Sequence, residues 1–204
     1  MKRLSVNSSS QLMPRILSVF FHPFLLAPVT FAIIIFSPEG FSNEALLQFI
    51  IAITSTVIIP FIFVYLMKNR GKTSGMDIPE REMRFSPFVM GIFSYLIALL
   101  LFWLIDAPKV LVILMWAYAF NTAIATVITH YWKISIHGMG VGGPAAALGF
   151  SVSGNFYYLL LALPIVIYSR VGVKAHTPMQ VVAGFFLGFL LTLIHFNLLM
   201  KLWS

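Results

Sequence analysis

The stretch PAAALGFSVSGNFYYLLLALPIVIY, residues 144–168, decides the topology of this chain. It is long enough to cross a bilayer once, since a helical span needs about 20 apolar residues. Ser151, Ser153, Gly154 and Asn155 stand in its middle, and small polar residues with a glycine between two apolar runs mark a turn. We read it as two short helices joined near Gly154 and Asn155. The flanks make this reading matter. Lys133-Ile134-Ser135-Ile136-His137 precedes the stretch and Ser169-Arg170-Val171-Gly172-Val173-Lys174-Ala175-His176 follows it. The two segments meet on one face of a membrane only if the chain between them goes out and returns.

The remainder of the chain supports a membrane setting. Its 204 residues are 60% hydrophobic and 9% charged, with a mean hydropathy of +0.96, which excludes an ordinary soluble domain. The expected fold is all-α, a polytopic bundle of about six to seven membrane helices that includes the short hairpin. Further spans are predicted over residues 16–37, 45–67, 88–105, 110–130 and 177–202. Breakers separate them: Ser37-Pro38-Glu39-Gly40, then Lys68, Arg70, Gly71 and Lys72, then Asp106-Ala107-Pro108-Lys109. Residues 1–14 read as a flexible polar arm ahead of a single embedded domain, 15–204. The first span lacks a small-x-small cleavage pattern and is read as retained. In the last span, Gly184 and Gly188 allow a neighbouring backbone to come close.

Chemistry must then come from few residues. The chain has no cysteine, so neither disulfides nor thiolate metal ligation are available. Its net charge of +7 is scattered over short inter-helix segments, which favours anionic lipid headgroups as the partner and excludes nucleic acid. Serine, arginine and histidine clustered at the ends of apolar helices are costly beside hydrocarbon and point to a polar site. Arginine offers a planar fork of donors to phosphate oxygens, and histidine can act as nucleophile or proton donor near neutral pH. Two crossings separate Arg81 and Arg84 from Ser135 and His137, and the hairpin adds two more before Arg170 and His176. All of these therefore share a face. Lys68, Arg70 and Lys72 fall on that face, and Glu39, Glu44 and Asp106 on the other, which favours a cytoplasmic site. Gly138, Gly140, Gly142 and Gly143 are expected to let backbone amides approach phosphate.

On these motifs the chain resembles the type 2 phosphatidic acid phosphatase superfamily of integral membrane lipid phosphatases, related to vanadium haloperoxidases. The third motif of that family is Ser-Arg, five residues, His, three residues, Asp; here Ser169, Arg170 and His176 match and Gln180 replaces the acid. From the second motif, Pro-Ser-Gly-His, Ser135 and His137 remain. Arg81-x-x-Arg84-x-x-Pro87 stands where the first motif, Lys, six residues, Arg-Pro, is expected. The resemblance covers roughly residues 77–190. It implies that His176 attacks phosphorus to give a phosphohistidine and that His137 protonates the leaving oxygen. Arg170, Ser135 and Arg84 or Arg81 would hold the phosphoryl group, with Ser169 and Lys133 as further candidates, and neither cofactor nor metal is expected. Gln180 can still accept a hydrogen bond from His176 one turn away, but it supplies no charge.

The expected protein is a lipid phosphate phosphatase, a hydrolase of a bacterial inner membrane. Its expected partners are membrane lipids and a lipid phosphate or polyprenyl pyrophosphate substrate: phosphatidic acid, phosphatidylglycerol phosphate or a polyprenyl pyrophosphate. The alternative is a non-catalytic lipid-phosphate binder or transporter, which Gln180 favours; a third is a structural subunit, in which the polar clusters would lie apart. His22, His130, His195 and Asn121 are assigned to packing within the bundle.

Overall fold

The computed structural model describes residues 11–203, and among these every regular element is helical. Among the described residues, six segments are long and apolar enough to cross a membrane, which makes the chain an integral membrane protein: Leu12–Pro38, Asn43–Asn69, Arg81–Leu104, Lys109–Tyr131, Gly154–Gly172 and Pro178–Leu202.

The first of these is bent. Helix α1, Leu12–Phe20, buries Pro14 and Ser18 and exposes Leu12, Met13, Ile16, Val19 and Phe20. It stops at Phe21, and α2, Pro23–Glu39, starts afresh, because Pro23 has no N–H to continue the α1 ladder and suits a first helical turn. His22 caps α2 by accepting the Phe24 N–H at Nδ1, 3.1 Å away. The single span expected over residues 16–37 is therefore two helices. The arm expected over residues 1–14 lies outside the described residues as far as residue 10, and Leu12–Pro14 belong to α1.

Helix α3, Asn43–Ile53, runs through one π turn, Thr54–Ile58, into α4, Ile59–Asn69. Pro60 cannot donate to the Thr56 carbonyl four residues back, and one turn earlier the Ser55 and Thr56 hydroxyls both donate to the Ala52 carbonyl. A polar loop and the short 3₁₀ turn Arg81–Arg84 lead to α5, Phe85–Leu104, which has Ser86-Pro87 in its first turn. Helix α6, Lys109–Tyr131, packs antiparallel to α5.

Helix α7, Ile136–Ser151, takes the chain away from the His137 end, and the 3₁₀ stretch Gly154–Ala162 with α8, Leu163–Gly172, brings it back. The turn lies at Val152-Ser153, where the Ser153 hydroxyl accepts the Asn155 N–H. The hairpin read from residues 144–168 is thus present, but its outward helix begins eight residues before Pro144. The Gly138–Gly143 segment is helical and corrects the expectation of a phosphate-cradling loop. Gly138, Gly142 and Gly143 face α9, Pro178–Leu202, and Gly140 faces Pro23 of α2. A Cβ on Gly142 would stand 2.0 Å from the Phe185 carbonyl oxygen, and one on Gly184 would stand 2.2 Å from that of Ser135. Glycine from both helices therefore brings the two backbones together, and the residues that follow in α7, Ala145, Ala146 and Ala147, are wholly buried. This contact sets the Ser135–His137 end of α7 beside the start of α9.

Candidate functional site

The polar site forms where the break between α1 and α2, the loop carrying Asp77, the Arg81–Arg84 turn, the start of α7, the end of α8 and the start of α9 meet. Ser135 caps α7 by accepting the Gly138 N–H, and its backbone N–H reaches the Gln180 carbonyl, so the His137 turn is tied to the first turn of α9. Arg170 leaves the last turn of α8, and its carbonyl accepts the N–H groups of Ala175 and His176, which folds the connection back. Lys174 takes the left-handed region there, at φ 57°.

Arg170 is the centre of the site. It is 1% exposed, and its Nη1 lies against the Ser18 hydroxyl and 3.2 Å from His137 Nε2, while Nη2 donates to Asp77 Oδ2 at 2.9 Å. Because guanidinium nitrogens only donate, His137 accepts at Nε2 and carries its proton on Nδ1. The Arg170 Nε–H is buried with no partner among the described residues. A buried donor left unmade costs about 1–3 kcal/mol, so it is a position an anion's oxygen would satisfy.

Asp77 also faces His22 Nε2, at 3.5 Å. Burial alone would raise its carboxyl, but the His22 hydrogen bond and the charges of His137 and Arg170 hold it well below the ordinary carboxylate range. The loop carrying it is tightly anchored. Glu80 accepts from Thr73 Oγ1 at 2.8 Å and from the Ser74 N–H at 3.2 Å, which lowers its carboxyl to about 2. Arg84 donates to three backbone carbonyls, those of Ile78, Ile134 and Asp77. Ile78 itself is held at φ 48°, a costly conformation for a β-branched residue that this network imposes.

His176 is buried, and its Nδ1 lies 3.1 Å from Gln180 Oε1. The amide oxygen also accepts the Thr177 N–H, and Thr177 in turn caps α9, so Gln180 is fixed from two sides. The tautomer that satisfies this arrangement has the proton on Nδ1 and a free lone pair on Nε2. Burial, followed by the charges of Arg84, Arg170 and Lys133, lowers the imidazole to about 3, so His176 is neutral near neutral pH.

His137, His176, Arg84 and Arg170 line one cavity of about 190 Å³, together with His22 and Asp77. The other expected site residues, Ser135, Gln180, Arg81, Lys133 and Ser169, do not line it, whereas Asn121, assigned to packing from sequence, does. Arg81 donates outward to the Tyr131 carbonyl and pairs with Glu82. Lys133 donates to the Ala175 carbonyl, bracing the loop before His176, and burial lowers its ammonium. Ser169 is fully buried and turns back onto the Val166 carbonyl. Ser135 and Gln180 stand behind the two histidines as cap and orienting group.

Sequence reading missed Ser18, His22 and Asp77. The available signal was an ionisable His22 inside an apolar segment, which marks function more often than packing. One donor atom each from His22, Asp77 and His137 lies within 4.8 Å of the others, a spacing a cation could bridge. The protons oppose that use. His22 spends its Nδ1 lone pair on Phe24, so Nε2 carries a hydrogen, and a cation would have to displace Arg170 from both His137 and Asp77. The chain matches no family model, no curated protein and no solved structure.

Proposed function

We propose that the protein is a membrane lipid phosphatase that hydrolyses a lipid phosphomonoester or pyrophosphate through a phosphohistidine on His176, along the lines of the type 2 phosphatidic acid phosphatases. The observation that carries this reading is the shared cavity: a neutral, oriented His176 and the guanidinium of Arg170, with one unpaired N–H, line the same space. Phosphoryl transfer asks chiefly for position and for positive charge at the oxygens that gain charge.

His176 Nε2 gives its lone pair to phosphorus while the bond from phosphorus to the lipid oxygen breaks, and the departing oxygen takes a proton. Water then attacks the phosphohistidine, releasing phosphate and restoring His176. His137 is the proton donor in the family pattern. In this state its Nε2 accepts from Arg170, so it must take up a proton or turn from Arg170 before it donates there. Arg84 contributes charge to the cavity while its hydrogen bonds hold the Asp77 loop.

A second reading is a lipid-phosphate binder without turnover. It is favoured by Gln180, which orients His176 without the negative charge that would stabilise an imidazolium-like phosphohistidine. We also propose a bacterial inner membrane with the site on its cytoplasmic face; the cations Lys68, Arg70, Lys72, Lys133 and Lys174, gathered at the end of the bundle that carries the site, favour that face.

The test is phosphate release from phosphatidic acid, phosphatidylglycerol phosphate and a polyprenyl pyrophosphate in detergent micelles containing EDTA, for the wild type and His176→Ala. Release that survives EDTA and disappears in His176→Ala supports the phosphatase. No release above that of the variant on any lipid moves the assignment to the binder.

A further inference from the structure

The cavity does not end at the polar residues. It continues between α5, α6, α7 and α9, past Tyr95, Tyr118, Asn121, Gly143 and Thr192, to Leu114. Tyr95 lies ten residues along α5 from Phe85, about 15 Å deep at 1.5 Å per residue. Thr192 lies fourteen residues along α9 from Pro178, about 21 Å deep on the same measure. A bilayer's hydrocarbon core is about 30 Å thick, so this arm reaches at least the depth of one leaflet inside the protein.

Its wall is largely apolar; the polar groups along it are the hydroxyls of Tyr95, Tyr118, Thr122 and Thr192 and the amide of Asn121. Asn121 is buried and donates from Nδ2 to Thr192 Oγ1 at 2.9 Å, yet its Oδ1 has no partner among the described residues. Packing alone does not require an unpaired amide carbonyl in a residue that lines an internal cavity; Oδ1 is covered in this state, and a small rotation of the amide toward the cavity would let a donor brought by a ligand satisfy it.

Resting on the reading of the polar end as a phosphate site, we propose that the arm takes a single hydrocarbon chain of the phosphate-bearing amphiphile out of the bilayer and into the bundle, and that Asn121 favours a chain carrying a hydroxyl. The substrate class is therefore a single-chain lipid phosphate rather than a diacyl lipid whose tails both stay in the membrane.

The arm can be filled without touching the phosphate end. A Cβ on Gly143 would meet Thr192 Oγ1 only at 3.7 Å, an ordinary contact, so Gly143→Leu fits at its first carbon and its remaining atoms take up cavity space.

The experiment uses dodecyl phosphate with a photoreactive diazirine in mid-chain, incubated with the full chain in micelles and mapped by peptide mass spectrometry. Labelling of Tyr118–Thr122 and Gly188–Thr192, reduced about tenfold in Gly143→Leu while inorganic phosphate still raises Tm, is expected. Labelling confined to outward residues such as Phe93 and Ile97, or unchanged in Gly143→Leu, overturns the slot. If Gly143→Leu does not fold, Asn121→Leu decides. The wild type should bind ω-hydroxydodecyl phosphate about tenfold more tightly than dodecyl phosphate, and Asn121→Leu should abolish that preference. Equal binding of the two by the wild type overturns the role of Asn121. Labelling needs no turnover, so internal labelling without phosphate release leaves the slot and removes the phosphatase. Release with outward labelling only does the reverse.

Discussion

Arg170 Nη2 stands 2.9 Å from Asp77 Oδ2, joining residues 93 positions apart in the chain. The pair is lopsided: Arg170 is 1% exposed and the Asp77 side chain 38%. Arg170 is fixed, whereas Asp77 comes from the polar loop and retains access to water. Its carboxylate occupies a donor that a phosphoryl oxygen would also seek, so bound anion and Asp77 share or contest the same guanidinium.

Asp77→Asn removes that internal anion. Inorganic phosphate or vanadate should then bind about three- to tenfold more tightly, a modest gain because water screens the half-exposed carboxylate. Without ligand the variant should be less stable, since the buried Arg170 charge loses its partner. Thermal unfolding in detergent across a phosphate titration reads both effects, and weaker phosphate binding would show that Asp77 helps hold the anion.

Gln180→Glu keeps the length of the side chain and the hydrogen bond from Thr177, and adds the charge that His176 lacks. Turnover should rise, and the His176 imidazole should move up from about 3. Gln180→Leu removes the acceptor at His176 Nδ1 and should cut turnover by about 10²-fold or more, with a smaller effect on KM. Steady-state phosphate release for the two variants checks the pair.

Acid should destabilise the protein through two groups acting in the same direction. An unfolded chain protonates His176 near its ordinary value of 6.5, the folded protein only near 3, so stability falls as pH drops through 6.5 and keeps falling towards 3. Asp77 is held below its ordinary 3.8, so the stability it contributes above that pH is lost below it. Tm measured from about pH 7 to about pH 4 should decline, and His176→Gln should flatten the upper part of the decline. Bound phosphate offsets the arginine charges that depress His176 and should protect most at the acid end.

Gly142→Ala tests the seam between α7 and α9. Its new carbon would lie 2.0 Å from the Phe185 carbonyl oxygen, a rigid backbone atom, so the helices must separate. A loss of about 1–3 kcal/mol or failure to fold is expected. Gly154→Ala, whose added carbon meets nothing within 4 Å, should be near neutral. Unfolding of the two variants in mixed micelles separates these outcomes.

Much of this architecture was legible in the chain. Apolar runs of spanning length, broken by charge, proline and glycine, implied the helices, and Ser151, Ser153, Gly154 and Asn155 inside 144–168 implied the hairpin that returns Arg170 to His137. The spacing of His176 and Gln180 implied their contact, since residues four apart share a helical face. The break at His22-Pro23 and the helical state of the Gly138–Gly143 run were read differently, because a local pattern does not say which neighbour a glycine or a proline will meet.

By itself, the sequence determined that this is a membrane-spanning helical protein with arginine and histidine gathered at one end, because hydrophobic transfer and crossing parity act along the chain. The tertiary structure alone decided which groups share the cavity. It turned Arg81, Lys133 and Ser169 onto backbone carbonyls, seated Asp77 and His22 against Arg170 and His137, and left Asn121 Oδ1 idle beside the apolar arm. The physical reason is that a buried polar atom must find a partner in three dimensions, and that partner can lie 93 residues away.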